Sequence, residues 1–172
     1  GTHPDLYAEV TRRCQSSDLL LDIGTGGGEA ILSIAESALL LIGIDQSTSM
    51  IETATRNAAR SGLPNVRFLH MEAEHLHFPD HFFDMVSCRH SEFDALEVAR
   101  VLAAGGTFLT QQVSEDDKYN LKEAFGRGQA AGVKAGTLQQ RYINDLKAAG
   151  FRDIQVSAFN VTEYYETAED LI

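Results

Sequence analysis

A cluster of glycines at positions 24–28 is the segment whose residue types point most directly to chemistry. It follows Asp22 at the end of an apolar run and precedes Glu29, where helical spacing begins. Glycines adopt positive φ at little steric cost and let a ligand lie against bare backbone. The free amides at the start of the next helix offer donors to an anionic group. The cluster therefore predicts a binding loop.

The spacing of these glycines separates several classes of ligand. A nicotinamide-binding GxGxxG pattern begun at Gly24 requires glycine at position 29, where Glu29 stands. A P-loop ends in Gly-Lys-Ser/Thr, and no lysine lies nearby. What the chain does have is Asp-x-Gly-x-Gly-x-Gly, from Asp22 to Gly28. A nicotinamide oxidoreductase stays as a disfavoured alternative.

Asp45 closes the second apolar run, a position from which a carboxylate can bind a sugar. An acid there accepts hydrogen bonds from both hydroxyls of a ribose. The alternative is a plain helix cap, although Ser47 and Thr48 are capping residue types as well. Together with the glycines, Asp45 predicts a nucleoside ligand without fixing the reaction.

A polar segment after the fourth apolar run supplies the candidates for catalysis. His90 is the candidate general base, because histidine is the side chain that most often titrates near neutral pH. Capping of the next helix or passive lining of a pocket is the structural alternative for His90. Arg89 can hold an anionic acceptor, or it can pair with Glu92 or Asp94.

The elements that position these residues follow from alternating strand and helix patterns. Strands are predicted at 19–23, 38–44, 66–69, 82–88, 106–113 and 153–159, and helices at 5–15, 29–37, 48–61, 95–103 and 139–149. This alternation predicts an α/β fold, a three-layer αβα sandwich around a mostly parallel doubly wound sheet. Such sheets bind ligands at the carboxyl ends of their strands. Residues 114–136 are either a lid over this edge or a surface excursion.

Four segments in the order 22–28, 42–45, 71–86 and 97–108 resemble the motifs of class I, Rossmann-like methyltransferases, of the type 11-like group. The resemblance implies an enzyme that uses S-adenosylmethionine and releases S-adenosylhomocysteine. It also implies the strand order 3-2-1-4-5-(7)-6. Residues 161–166 make a poor strand, so we expect the seventh strand to be missing or degraded.

The resemblance implies cofactor contacts from several segments of the chain. Asp45 would bind the ribose, with Gln46 and Met50 near the adenosine. Glu72, which replaces the usual aspartate, would accept from the adenine amino group. The full set of implied cofactor residues is Asp22, Gly24, Thr25, Gly26, Gly28, Asp45, Gln46, Met50, Glu72, Ala73, Glu74, Ser87 and Cys88.

The net charge of the chain and the residues that follow the fourth strand indicate the class of the methyl acceptor. A net charge of −11 disfavours nucleic acid and anionic membranes. Ser-Cys-Arg-His is neither the Pro-Cys pair of cytosine C5 enzymes nor the Asn/Asp-Pro-Pro-Tyr/Phe of amino-methylating nucleic acid enzymes. We therefore expect a small-molecule acceptor. The alternatives are an RNA or protein methyltransferase with recognition elements outside this segment, and a non-catalytic cofactor-binding module.

Length and composition predict a single domain over residues 1–172, with 44% apolar and 23% charged residues. The poor last strand suggests that the natural chain continues beyond residue 172. We expect a cytoplasmic protein with reduced cysteines and no bound metal. The sequence does not indicate an oligomeric state.

Overall fold

The computed structural model describes residues 6–113, 140–159 and 162–166, with side chains over 6–112 and 140–154. Its strands are β1 Leu19–Ile23, β2 Leu40–Asp45, β3 Val66–His70, β4 Phe83–Arg89, β5 Leu102–Val113, β6 Gln155–Phe159 and β7 Thr162–Glu166. Its helices are α1 Leu6–Arg13, α2 Glu29–Leu32, α3 Thr48–Ser61, α4 Ala95–Val101 and α5 at 140–148, with a 3₁₀ turn at Ala35–Ser37.

The strands form one sheet in the order β3-β2-β1-β4-β5-β7-β6, which confirms the predicted order. The first five strands run parallel, and β7 runs antiparallel to both β5 and β6. The expectation of a missing or degraded seventh strand is wrong. β7 is paired along both of its edges, so its backbone is satisfied even though its sequence is a weak strand pattern.

Two apolar cores lie on opposite faces of the sheet, because alternate strand residues point to opposite sides. In β1, Leu20 packs with α1, α2 and α3, whereas Leu21 packs with α4 and α5. Both leucines are fully buried. This arrangement is the three-layer sandwich expected from the alternating pattern. None of the helices in the described part of the chain is long and apolar enough to cross a membrane.

Two predicted boundaries differ from the structure for local reasons. The helix expected at 29–37 ends at Leu32, where the hydroxyl of Ser33 donates to the Ala30 carbonyl and competes with helical pairing. The helix expected to reach Ala103 ends at Val101, because Leu102 is already extended and pairs with Phe83 of β4. The segment expected as a lid, 114–136, lies outside the described residues.

Candidate functional site

Three parallel strands end side by side at one edge of the sheet. Ile23 of β1 lies opposite Ile44 of β2 and Cys88 of β4. The next residue along each strand is Gly24, Asp45 or Arg89, so these three lie side by side at this edge. Adjacent strands are about 4.8 Å apart, which places the Asp45 and Arg89 backbones about 10 Å apart on either side of Gly24.

The glycine loop turns sharply immediately after β1. Gly24, Gly26 and Gly28 have φ values of 74°, 59° and 82°, a region that residues with a Cβ rarely adopt. The amides of Gly24 and Thr25 both donate to the Ile44 carbonyl at 2.9 Å. The loop is therefore fixed to the end of β2.

The Asp45 carboxylate lies against this loop. Its Oδ2 accepts from the Gly26 amide and its Oδ1 from the Ser47 amide, both at 2.9 Å. Each carboxylate oxygen has a second lone pair, so both can still accept from a ligand. The two amides hold the carboxylate at the cavity wall, and Ser47 caps α3 through its own side chain as well.

A cavity of about 440 Å³ opens at this edge, a volume typical of small-ligand sites. Its walls come from the ends of β1, β2 and β4 and from the segment after β3. The lining residues are Ile23, Gly24, Ile44, Asp45, Gln46, Met71, Ala73, Glu74, Arg89, His90, Ser91 and Glu92.

The structure brings fewer than half of the predicted site residues to this cavity. Those that line it are Gly24, Asp45, Gln46, Ala73, Glu74 and His90. Gly26 and Thr25 belong to the adjoining loop, and Met50 and Glu72 are exposed outside the walls. Gly28 faces the interior, because a Cβ there would lie 2.9 Å from the Phe68 ring.

A buried polar layer supports the loop from below. Asp22, Ser87 and Cys88 are fully buried, so they lie beneath the cavity rather than in its wall. The Asp22 carboxylate accepts from the Ser87 hydroxyl at 2.6 Å and from the Tyr7 hydroxyl at 3.1 Å. Burial raises the pKa of Asp22 to about 6, although these hydrogen bonds favour the charged form. The hydrogen bonds among Tyr7, Asp22 and Ser87 join α1, β1 and β4.

This buried carboxyl predicts a pH-dependent stability. The ordinary pKa of an aspartate is 3.8, and the pKa of Asp22 in the fold is about 6, so between these pH values the folded state holds a proton that the unfolded state lacks. Stability therefore falls as pH rises through this window, by about 3 kcal/mol in total. Urea unfolding of wild type and Asp22→Asn between about pH 4 and about pH 7 measures the difference. A difference that is constant, or that changes in the opposite direction, contradicts the assignment.

A loop between β3 and β4 contributes Met71, Ala73 and Glu74 to the cavity wall, and α4 anchors it. Arg100 donates to the carbonyls of Leu76 and Phe78 at 2.6 and 2.8 Å and pairs with Glu97 and Asp80. Glu97 accepts in turn from the Leu76 amide at 2.9 Å. These contacts hold the segment that carries Ala73 and Glu74 in place.

A family model described as a methyltransferase domain matches residues 20–106, half of the chain. The matched span includes the glycine loop, Asp45 and the residues after β4 described above. The chain belongs to this methyltransferase family. The resemblance to class I methyltransferases is confirmed.

Curated relatives of this methyltransferase domain differ in their named acceptors. The uncharacterized methyltransferase YcgJ of Bacillus subtilis is 38% identical over 58% of this chain and 42% of its own. The 23S rRNA (uracil(1939)-C(5))-methyltransferase RlmD of Pectobacterium atrosepticum is 37% identical over 35% of this chain and 13% of its own. Aklanonic acid methyltransferase DauC of a Streptomyces species is 38% identical over 41% of this chain and 34% of its own. The chain spans less than half the length of these curated relatives.

Solved structures show the same fold. A SAM-dependent methyltransferase from Methanosarcina mazei superposes with a TM-score of 0.76 at 18% identity, covering 98% of this chain and 100% of its own. At this identity the likeness concerns the fold alone. It agrees with the mostly parallel sheet and its helices on both faces.

The methyltransferase cavity also contains residues that were not predicted as cofactor contacts. Met71, Ser91 and Glu92 line it, and so does Arg89, for which the sequence left two roles open. Ser91 stands so close to Gly24 that a Cβ on that glycine would collide with its side chain. No sequence pattern indicates that Ser91 lies this close to Gly24, because the contact depends on how tightly the chain turns after β4.

Proposed function

We propose that the protein transfers the methyl group of S-adenosylmethionine to a small-molecule acceptor. The observation that carries this proposal is the cavity at the ends of β1, β2 and β4, which Gly24 and Asp45 both line and where the glycine loop contacts the Asp45 carboxylate through the Gly26 amide. A nucleoside that binds its sugar at Asp45 would extend its amino-acid end across Gly24 towards β4. The family membership of the chain supports the same assignment.

The residues present fit this cofactor. Asp45 has lone pairs for the ribose hydroxyls. Gly24 lines the cavity, and at Gly26 the space where a Cβ would stand is open. Gln46, Ala73 and Glu74 form the wall beside Asp45 and would enclose the adenine. When bound, S-adenosylmethionine supplies a methyl group already activated by its sulfonium. The chain has to align that group with an acceptor and exclude water, which is the work of an enclosing cavity.

The acceptor side of the site lies after β4. His90 and Arg89 are the wall residues there, and His90 is the candidate base for an acceptor that must lose a proton. Burial raises the pKa of Cys88 to about 12, which disfavours a thiolate nucleophile. The relative DauC is named for a small organic acid, which supports a small-molecule acceptor.

Loss of the Asp45 carboxylate tests the cofactor placement. Asp45→Ala is expected to weaken S-adenosylhomocysteine binding by about 1–3 kcal/mol, since it removes the acceptors for the ribose hydroxyls. Isothermal titration calorimetry measures the affinity. Glu52→Ala, which removes an exposed carboxylate on α3, is the matched control and should bind like wild type. Equal affinities for the two variants would remove Asp45 from the site.

A radiolabelled methyl-transfer screen tests the reaction and the acceptor together. Cell extract divided into metabolite, RNA and protein fractions is incubated with the protein and labelled S-adenosylmethionine. We expect label in the metabolite fraction. Label confined to RNA or protein contradicts the small-molecule acceptor, and binding of the cofactor without any transfer contradicts catalysis.

A further inference from the structure

Resting on the proposed function, we propose that Arg89 binds a carboxylate of the acceptor, so that the site selects acidic small molecules. Arg89 is the last residue of β4 and lines the cavity. A guanidinium matches the planar geometry of a carboxylate and keeps its charge at all ordinary pH values. Membership of the methyltransferase family does not specify this substrate class.

The strongest observation is a donor without a partner. The Nε–H of Arg89 is buried and donates no hydrogen bond within the described part of the chain. Buried polar groups are almost always hydrogen-bonded, and the free-energy cost of leaving one unpaired is highest for a charged donor. An anionic ligand group beside the guanidinium would offset the unfavourable burial of this charge.

Neighbouring acids do not satisfy this arginine. Among the described side chains, no carboxylate lies within ion-pair distance of Arg89. Of the two partners that the sequence offered, Asp94 caps α4 through the Glu97 amide and Glu92 is exposed. The buried Asp22 carboxylate attracts Arg89 electrostatically, but its oxygens are hydrogen-bonded to Tyr7 and Ser87. The guanidinium therefore has no direct ion pair among the described residues and can form one with a ligand.

Tyr7 holds the guanidinium in place from α1. The Cζ atom of Arg89 lies 5.7 Å from the centre of the Tyr7 ring, within cation–π range. An aromatic ring attracts the cation without accepting its N–H groups in the plane of the guanidinium, where carboxylates bind. Tyr7 therefore helps to position Arg89 and leaves these donors for a ligand.

The position of Arg89 separates it from the ribose site. Asp45 and Arg89 flank Gly24 from opposite sides, two strand spacings apart. The carboxylates of Asp45 and Glu74 line the β2 and β3 side of the cavity, with Glu92 on the loop after β4. Arg89 supplies the guanidinium among the lining residues, so we expect an anionic group of the acceptor to bind at the β4 end of the cavity.

Matched acid and amide probes test this inference on the intact protein. Salicylate and 4-hydroxybenzoate are compared with salicylamide and 4-hydroxybenzamide, in ligand-observed NMR with the protein saturated with S-adenosylhomocysteine. Wild type is expected to bind the acids about 10- to 100-fold more tightly than the amides, the range for a hydrogen bond to a charged group. Arg89→Gln should abolish this preference, Arg89→Lys should retain part of it, and the exposed Arg60→Gln should retain all of it.

The affinity for S-adenosylhomocysteine, measured separately, distinguishes the failure of this inference from the failure of the proposed function. Absence of S-adenosylhomocysteine binding by wild type contradicts the proposed function itself. Wild type that binds S-adenosylhomocysteine but shows no preference for acids overturns only the role of Arg89. A loss of S-adenosylhomocysteine affinity in Arg89→Gln, with the acid preference intact, also overturns it, because the arginine would then hold the cofactor's carboxylate.

Discussion

Replacement of Gly24 by alanine is expected to lower the affinity for S-adenosylhomocysteine by about 100- to 1000-fold, or about 3–4 kcal/mol. Two effects add at this position. A φ of 74° is costly for a residue with a Cβ, by about 1–2 kcal/mol. The new methyl group would also collide with the side chain of Ser91. To relieve this clash, either Ser91 must move into the cavity or the glycine loop must give up its hydrogen bonds to the Ile44 carbonyl. Either movement changes the shape of the cavity wall.

Gly62 provides the control for backbone strain alone. It ends α3 with a φ of 72°, and a Cβ there would have no neighbour within 4 Å. Gly62→Ala should therefore lose about 1 kcal/mol of stability and keep its cofactor affinity. Calorimetric titration of both variants, after circular dichroism has shown that they fold, decides the matter. If Gly24→Ala binds as tightly as Gly62→Ala, the glycine loop does not form the cofactor site.

Replacement of His90 by asparagine is expected to lower kcat by about 100- to 10,000-fold for an acceptor that must lose a proton, the usual contribution of a general base. His90 lines the cavity and has a φ of 56°, and its amide donates to the Gln111 carbonyl at 2.7 Å. Asparagine tolerates positive φ well, so the backbone should be preserved. The affinity for S-adenosylhomocysteine should change little, because the base acts on the acceptor.

His81 is a closely matched control for this substitution. It also has positive φ, 57°, and its amide donates to the Arg100 carbonyl at 2.8 Å. It precedes β4, however, and so lies at the opposite edge of the sheet from the cavity. His81→Asn should turn over like wild type in steady-state assays with the acceptor that the screen identifies. Equal kcat values for the two variants would show that His90 lines the cavity without acting as a base.

The fold was largely predictable because its main signals are local. Apolar runs such as Leu19–Ile23 bury both faces, and the glycines and capping residues between them mark the turns. The seventh strand and the short α2 were not predicted correctly. β7 depends on pairing with β5, which lies far from it along the chain, as well as with the neighbouring β6. α2 ends through a side-chain hydrogen bond of Ser33, which a periodicity pattern does not register.

The candidate site was predictable where it consists of backbone and strand ends. Gly24 and Asp45 line the cavity because adjacent parallel strands bring them together. Whether a residue near the site lines the cavity or is buried beneath it was harder to predict. Asp22 and Cys88 directly precede lining residues, yet both are fully buried. The assigned roles of all these residues in binding and catalysis stay predictions until they are measured.

The position of β7 between β5 and β6 has a consequence for synthesis on the ribosome. β6 emerges before β7, but it has no neighbour in the sheet until β7 arrives and pairs with both strands. Until then the nascent chain exposes the open edge of β5, and exposed strand edges are sites of aggregation. Chaperone binding during translation would therefore matter most between the emergence of Val113 and that of Glu166.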